Sequence, residues 1–288
     1  MAARSDSTEN EKENAYFNDP ESGAEMARLT DQDRLLTRGM GGLFPERSDL
    51  SNIHRILDIG CGPGGWALDV AFAYPDKEVV GIDISQTMIN YARARARVQG
   101  LDNASFRVLD ATQPLDFPSE SFDLVNARTI GFFPKGVWPK LMQECMRILH
   151  HGGTIRLTES EWGFTNGPAT EKLQGMFYKA LLATGRSFTQ DGRRHGITMM
   201  LAGFLRDAGC INIGQMAHVI DFSAGTEAHH GFYNDWKVVY KLSQPFFVGT
   251  RVATQEEIDQ AYDQMLVEMM QDDFRGIMYL LTAWGQKS

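Results

Sequence analysis

The feature that most constrains this chain is a glycine-rich turn between an apolar run and a helical pattern. The run RILDI at 55–59 is followed by Gly60, Gly62, Gly64 and Gly65, and an amphipathic stretch begins at that point. Glycine adopts positive φ angles and lets a ligand approach the backbone closely. A strand, a glycine-rich turn and a helix in this order predict an α/β unit with a ligand at the carboxyl end of its strand.

Short runs rich in Ile and Val alternate with amphipathic stretches from residue 55 onward. This alternation predicts βα units on a mostly parallel sheet. Seven strands are expected, and helices are expected between them near 65–73, 86–98 and 137–149. The pattern therefore predicts a Rossmann-like seven-stranded α/β sheet flanked by helices. The expected strands are 55–59, 78–84, 105–110, 122–127, 153–160, 211–222 and 274–285.

The remaining segments predict additions to this core. Residues 1–14 are polar and lack apolar periodicity, which predicts a disordered tail. Thr254 and Glu257 have the spacing of a capping box, and the apolar stripe that follows needs a surface to cover. We therefore expect a helical lid at 15–54, a core formed by 55–222 and 274–285, and a helical insertion at 223–273 that covers a substrate.

The composition limits the kinds of molecule that this chain is expected to bind. The chain has 28 Lys and Arg against 37 Asp and Glu, a net charge of −9, and no basic run. This balance disfavours nucleic acid and anionic membranes, and no stretch approaches the roughly 20 apolar residues of a membrane span. The three cysteines, without a signal peptide, predict free thiols in the cytoplasm, and the histidines show no zinc spacing, so no metal is expected. A small-molecule substrate is expected. The composition does not decide whether the chain forms a homo-oligomer.

Acidic residues end three of the expected strands. Gly60, Gly62 and Gly65 satisfy the GxGxxG of nicotinamide enzymes, but Asp58 with the glycines also satisfies DxGxGxG. A carboxylate at Asp58 would repel a pyrophosphate and suits a ligand with an ammonium and a sulfonium, such as S-adenosylmethionine. Asp83 is expected to bind ribose hydroxyls under either interpretation. Asp110 adds a carboxylate for an adenine amine.

Two rival functions stay open at this stage. An NAD(P)-dependent Rossmann oxidoreductase is disfavoured by Asp58, and Tyr178 directly precedes Lys179 instead of standing four residues before a lysine. A non-catalytic scaffold that only binds the cofactor is disfavoured by the intact glycines and acids.

Over roughly residues 50–160 the sequence resembles the class I methyltransferases. The motifs LDIGCGPG, GIDIS with Met88, LDATQPLDFPSESFDLVNA and LMQECMRILHHGG look like those of the subgroup that includes the ubiquinone and menaquinone methyltransferases, and the closing YLLTAWGQK is weakly similar. The resemblance implies an S-adenosylmethionine-dependent enzyme. It also implies cofactor contacts at Gly60, Gly62, Asp83, Ile84, Met88, Asp110 and Ala111, with Asn126 beside the methionine portion.

A second, fainter resemblance covers the segment AYFNDPESGAEMARLTDQDRLLTRGMGGLFP. It is similar to natural-product methyltransferases, including the teleocidin-pathway enzyme that methylates a terpenoid carbon. The resemblance implies that Tyr16 and Phe17 close over the cofactor, and Tyr16 is also a candidate catalytic residue. Both side chains are equally compatible with core aromatics of an N-terminal helix.

Candidate substrate contacts follow the fourth and fifth strands, where ligands approach an open sheet. They are Arg128, Phe132, Phe133 and Trp162. Arg128 is equally compatible with pairing to a core carboxylate, and the aromatics with the core.

The candidate catalytic residues besides Tyr16 are Glu159, Glu161 and His195. The sequence contains no compelling acid/base pair, which favours an amine or alkene carbon over a hydroxyl as the acceptor. Methyl transfer to a small, apolar metabolite is expected, with C-, N- and O-methylation open.

Overall fold

The computed structural model describes residues 18, 19 and 21–288 of the chain. The predicted tail at 1–14, and with it Tyr16 and Phe17, lies outside these residues. The strands are β1 Arg55–Ile59, β2 Glu78–Asp83, β3 Ala104–Val108, β4 Phe122–Arg128, β5 Leu149–Thr165, β6 Ile211–Asp221 and β7 Gly276–Gln286. The helices are α1 Gly23–Gly39, α2 Gly65–Ala73, α3 Gln86–Gln99, α4 Trp138–Ile148, α5 Pro168–Ala183, α6 Leu201–Asp207, α7 His229–Leu242, α8 Gln244–Gly249 and α9 Gln255–Glu268.

The seven strands form one sheet in the order β3-β2-β1-β4-β5-β7-β6. β1 to β5 pair in parallel, whereas β7 is antiparallel to both β5 and β6. The predicted seven-stranded, mostly parallel Rossmann-like sheet is therefore confirmed. The strand order reverses direction between β1 and β4, and ligands of such sheets bind outside the carboxyl ends at this point.

Consecutive apolar residues of the inner strands serve opposite faces of the sheet. Ile56 belongs to the apolar cluster formed with α2 and α3, whereas Leu57 belongs to the cluster formed with α4 and α6. Side chains alternate along a strand, so a strand covered on both faces is apolar at every position. This is why the inner strands are continuous apolar runs in the sequence.

A third apolar cluster forms a helical cap beside the sheet. It joins α1, α5, α7, α8 and α9 to the start of β7, and Phe177, Trp236 and Met265 are buried in it. Thr254 and Glu257 form the expected capping box at the start of α9. The cap includes α5, which lies outside the predicted insertion at 223–273.

The N-terminal helix α1 is held between the cap and the sheet. Arg28 pairs with Asp235 of α7, and Asp33 pairs with Arg128 at the end of β4. Within the described part of the chain, no helix has the length and apolar character required to cross a membrane. The three cysteines are free and buried. The cytoplasmic location stays a prediction.

Candidate functional site

The glycine-rich turn after β1 shapes the floor of a cleft. Gly60, Gly62 and Gly64 have φ angles of 66°, 51° and 77°, in the region that disfavours other residues. A Cβ at Gly60 would lie 2.7 Å from Cγ2 of Ile130, whereas a Cβ at Gly62 would meet nothing closer than 3.9 Å. The turn therefore presents bare backbone to the space above it.

Two of the acidic strand ends organise the loops around the cleft. Asp83 accepts hydrogen bonds from the backbone N–H of Gly62 and of Ser85, both at 2.9 Å. Asp110 accepts from the backbone N–H and the hydroxyl of Thr112, at 2.9 and 2.7 Å. These bonds hold the carboxylates at the carboxyl ends of β2 and β3, as the sequence predicts.

These residues line one continuous opening, termed here the first cleft. Its empty volume, which includes the solvent space at its mouth, is about 1110 Å³. Its lining brings together most of the predicted cofactor contacts and adds residues of α1 that were not predicted individually. The predicted residues that line it are Asp58, Gly60, Gly62, Asp83, Ile84, Met88, Asp110 and Ala111. The added residues of α1 are Leu29, Gln32, Asp33 and Leu36.

A buried chain of polar groups supports Asp58 from behind. Asn126 donates to Asp58 at 2.7 Å, and Arg156 donates to Asn126 at 2.8 Å and to Glu46 at 2.6 Å. Burial raises the pKa of Asp58 to about 7, although the bond from Asn126 and the charge of Arg156 oppose the rise. At neutral pH this carboxyl is poised between its two protonation states.

Asn126, which is predicted to lie beside the methionine portion of the cofactor, lies behind Asp58 in the structure. Its side chain is fully buried behind Asp58 and is not part of the lining of the first cleft. Its amide is occupied on both sides, by Asp58 and by Arg156. Asn126 orients Asp58 and does not itself reach the ligand space.

Arg128 lies in the first cleft and is paired with α1. Its guanidinium pairs with Asp33 and donates to the hydroxyl of Thr37 at 2.8 Å. The other carboxylate oxygen of Asp33, Oδ2, is buried without a hydrogen-bond partner among the described residues. An unsatisfied buried acceptor is costly, so Oδ2 is suited to a donor that arrives with a ligand.

A second cavity, with an empty volume of about 760 Å³, adjoins the first cleft. Both are lined by Leu29, Gln32, Leu36, Thr129 and Phe132, so the two spaces meet over α1 and the loop after β4. The wall of the second cavity includes five aromatic residues, Phe132, Trp162, Phe177, Phe232 and Trp236. Of the predicted substrate contacts, Phe132 and Trp162 line it, whereas Arg128 and Phe133 line only the first cleft.

Thr129, at the junction of the two spaces, is a feature that the sequence did not reveal. Its φ of 57° is unusual for a β-branched residue. Its backbone N–H donates to the carbonyl of Thr158 at 2.9 Å, and its hydroxyl donates to the carbonyl of Arg128 at 2.7 Å. Such strained positions concentrate at functional sites.

Glu159 and His195 form a polar corner of the second cavity. Glu159 accepts from the backbone N–H of Ile130 at 2.8 Å, and burial raises its pKa to about 8. Burial lowers the pKa of His195 to about 4, which nearby backbone carbonyls of Gly131 and Arg186 oppose. Nε2 of His195 has no hydrogen-bond partner of regular geometry among the described residues.

Gly131 is the place where these two side chains converge. A Cβ added there would lie 2.7 Å from Oε2 of Glu159 and 2.9 Å from Cε1 of His195. Glu161, the third candidate, has a different position: its carboxylate accepts from the backbone N–H groups of His195 and Gly196, both at 3.2 Å. Glu161 holds the loop that carries His195 and does not line either space.

The part of the chain that the structure describes contains no cluster of three or more side chains suited to a metal ion. The acidic strand ends are instead engaged by backbone N–H groups or by Asn126.

Comparison with known sequences identifies a domain. Residues 56–153 match a family described as a methyltransferase domain. The chain is 39% identical over 121 residues to aklanonic acid methyltransferase DauC of Streptomyces sp., which is 41% of this chain and 54% of that protein. It is 34% identical over 119 residues to demethylmenaquinone methyltransferase of Geobacillus kaustophilus, which is 40% of this chain and 49% of that protein. The matched stretches span about half the length of these relatives.

Solved structures show the same fold. The YcgJ protein of Bacillus subtilis aligns with a TM-score of 0.52 at 17% identity, over 87% of this chain and 99% of that one. Phosphoethanolamine N-methyltransferase 2 of Haemonchus contortus, solved with S-adenosyl-L-methionine, aligns with a TM-score of 0.53 at 18% identity, over 93% of this chain and 57% of that one. The match places a methyltransferase domain at residues 56–153, in agreement with the predicted enzyme class, and a structure of the same fold was solved with the predicted cofactor, S-adenosylmethionine.

Proposed function

We propose that this chain, which carries a methyltransferase domain over residues 56–153, transfers the methyl group of S-adenosylmethionine to a small, largely apolar metabolite held in the second cavity. One observation carries the proposal. The cleft that collects the predicted cofactor residues adjoins a cavity with several aromatic residues in its wall, and Thr129 and Phe132 line both spaces. A methyl donor in the first space and an acceptor in the second would meet at that wall.

The residues of the first cleft fit the cofactor. Asp83 and Asp110 offer carboxylates to the ribose hydroxyls and the adenine amine, and Ile84 and Met88 offer apolar surface beside them. At the other end, the unpartnered Oδ2 of Asp33 suits the ammonium of the methionine portion, and Arg128 suits its carboxylate. Asp58, between these two groups of residues, suits the positive charge of the ligand.

The protein's own task in this reaction is to position the acceptor and exclude water. The bound cofactor supplies an activated methyl group whose leaving group becomes neutral, so reactivity does not have to be created by the protein. The aromatic wall holds an apolar acceptor, and α1 covers both spaces through Leu29, Gln32 and Leu36. Closure over a dry site brings the reacting groups together and keeps water from competing.

The acceptor belongs, in this proposal, to natural-product metabolism in the cytoplasm. The relative named aklanonic acid methyltransferase supports this assignment, as does the absence of a basic run in the sequence. A terpenoid is one such apolar acceptor, as the N-terminal resemblance implies.

Labelling with an isotopic methyl group tests the proposal. The protein is incubated with trideuteromethyl S-adenosylmethionine and a metabolite extract, and mass spectrometry follows the transfer of the labelled methyl group. We expect a labelled low-molecular-weight product that requires the wild-type protein and is strongly reduced with Asp83→Ala. Label recovered only in protein or nucleic acid, or a product formed equally by both proteins, would contradict the proposal.

A further inference from the structure

The polar corner of the second cavity determines what kind of acceptor can be held there. The rest of the wall is dominated by aromatic and aliphatic side chains, whereas Glu159 and His195 meet at Gly131. His195 is 5% exposed, and its Nε2 lacks a regular hydrogen bond among the described residues. A buried ring nitrogen of this kind is satisfied by a ligand hydroxyl, which can donate to it or accept from it.

The charged groups around this corner are already paired. Arg28 of α1 is held by Glu25 at 2.7 Å and by Asp235 of α7 at 2.8 Å. Glu161, on the same strand as Glu159, accepts from the loop at 195–198. Among the described residues that line the cavity, the one Lys or Arg that a phosphate would need, Arg28, is already paired. Of the two carboxyl groups that an ammonium ligand would need, Asp235 is already paired and Glu159 is protonated at neutral pH. An uncharged acceptor fits this environment better than either ion.

Resting on the proposed function, we propose that the acceptor is an uncharged hydroxyl compound of aromatic size, that Nε2 of His195 takes the hydroxyl proton, and that Glu159 positions the hydroxyl by donating a hydrogen bond. As the acceptor oxygen bonds to the methyl carbon, the carbon–sulfur bond of the cofactor breaks and its electron pair stays on sulfur. The proton moves from the oxygen to His195 and then to solvent. The products are a methyl ether and a neutral thioether.

The protonation states of the two side chains agree with these roles over a defined pH range. Burial keeps His195 uncharged down to about pH 4 and keeps Glu159 protonated up to about pH 8. Between these values the histidine accepts a proton and the carboxylic acid donates a hydrogen bond. An alkene carbon makes no hydrogen bond with Glu159 or His195, so this arrangement favours a hydroxyl and reverses the preference drawn from the sequence.

A matched set of naphthalenes tests the class of acceptor. We would titrate protein saturated with S-adenosylhomocysteine with 2-naphthol, 2-methylnaphthalene, 2-naphthyl phosphate and 2-naphthylmethylamine by calorimetry. We expect 2-naphthol to bind at least about tenfold more tightly than the other three, because only it offers an uncharged hydroxyl. Equal or tighter binding of any of the other three would overturn the proposal.

Kinetics with 2-naphthol test the role of His195. His195→Gln retains a hydrogen-bonding group but cannot take up the proton, so kcat should fall about 100-fold while KM changes by less than about threefold. His218→Gln is the matched control, because His218 is also buried but bonds to Thr282 of β7 and lines neither space. Wild-type kcat in His195→Gln, or no methylation of 2-naphthol by the wild-type protein, would overturn the proposal.

The pH profile separates Glu159 from a purely structural residue. For the wild-type protein kcat should fall above about pH 8, where Glu159 loses its proton, and below about pH 4–5, where His195 gains one. Glu159→Gln keeps a neutral donor at every pH, so the alkaline fall should vanish from its pH profile even if its maximal rate is lower. A wild-type profile without an alkaline fall, or an unchanged one in Glu159→Gln, would contradict the role of Glu159.

The same titrations distinguish a failure of the proposed function from a failure of the proposed hydroxyl acceptor alone. If S-adenosylhomocysteine does not bind to the wild-type protein, the proposed function fails. If it binds normally but 2-naphthol shows no preference, only the hydroxyl acceptor and the role of His195 fail. Thermal unfolding of each variant, compared with its affinity for S-adenosylhomocysteine, separates a catalytic loss from misfolding.

Discussion

At the scale of single residues, Asp58 couples the ligand site to the interior of the sheet. Its carboxylate lines the first cleft, and its other contacts run inward through Asn126 and Arg156 to Glu46. Because burial raises the pKa of Asp58 to about 7, the free protein carries a mixture of charged and neutral forms at neutral pH. A positively charged ligand selects the charged form.

Binding of S-adenosylmethionine should therefore strengthen with pH. If the bound protein has Asp58 ionised, affinity should rise about tenfold between pH 6 and pH 8, because the ionised fraction of the free protein rises through its pKa. Asp58→Asn cannot ionise and retains any titration that belongs to the ligand. Calorimetry on both proteins gives the difference. A wild-type slope that Asp58→Asn reproduces would show that Asp58 is not the coupled group.

The residues that the sequence predicted well are those of local motifs. The glycines, Asp83 and Asp110 lie within a few residues of a strand end, so their positions follow from the strand that precedes them. The inward contact of Asn126 could not be predicted, because its neighbour in the sheet is Arg156 of β5, 30 residues away along the chain. Which buried side chain turns to the ligand and which turns inward depends on such pairing across strands.

At the scale of elements, α1 is the part of the structure that joins both spaces. It lines the first cleft and the second cavity, and it is held by Arg28 with Asp235 and by Asp33 with Arg128. A helix that covers a ligand and is anchored by a few buried ion pairs opens at a lower cost than the strands beneath it. We expect α1 to be the mobile cover.

Cofactor binding should slow hydrogen exchange in α1. Amides of Gly23–Gly39 should be protected by saturating S-adenosylmethionine because ligand contacts add to the anchoring of the helix, while β1 and β4 should hardly change. Exchange measured by mass spectrometry with and without the cofactor gives the comparison, and the exposed end of α3 at Arg97–Gln99 is an internal control. Equal exchange of α1 in both states would remove the cover.

The loops after β4 and β5 should divide their roles between the two ligands. Trp162 lines only the second cavity and stacks on Phe177 with ring centroids 4.3 Å apart, whereas Phe132 lines both spaces. Trp162→Ala should keep cofactor affinity within about twofold and lose kcat/KM for the acceptor. Phe132→Ala should reduce both. Calorimetry and methyl-transfer rates measure the two effects, and full activity in Trp162→Ala would show that the acceptor is held elsewhere.

The sequence indicated the elements but not their grouping. All seven strands and the helices α2, α3 and α4 follow from apolar periodicity, because the period of the apolar residues depends on which faces of an element are covered. That α5 joins α1, α7 and α9 in the cap could not be predicted, since an apolar helix face does not reveal which surface covers it. The meeting of Glu159 with His195 arises from the same long-range packing.

At the scale of the whole molecule, we propose that the methyl donor binds at the edge of the sheet and that the acceptor binds against the cap. Strand order places the carboxyl ends of β1, β2 and β4 around the first cleft. The cap adds Phe177, Phe232 and Trp236 to the wall of the second cavity. The same use of the first cleft is therefore compatible with many acceptors, because the cap contributes most of the wall of the second cavity.

Cofactor choice is the central claim, and one calorimetric titration tests it most directly. S-adenosylmethionine and NADH are titrated into the wild-type protein, into Asp83→Ala, and into Asp102→Ala, which removes an exposed aspartate away from the cleft. The account predicts that S-adenosylmethionine binds at one site per chain and NADH does not. Loss of the Asp83 hydrogen bonds should weaken binding by about 2–4 kcal/mol, roughly 30- to 1000-fold, and Asp102→Ala should match the wild type. Binding of NADH in place of S-adenosylmethionine, or wild-type affinity in a folded Asp83→Ala protein, would contradict the account.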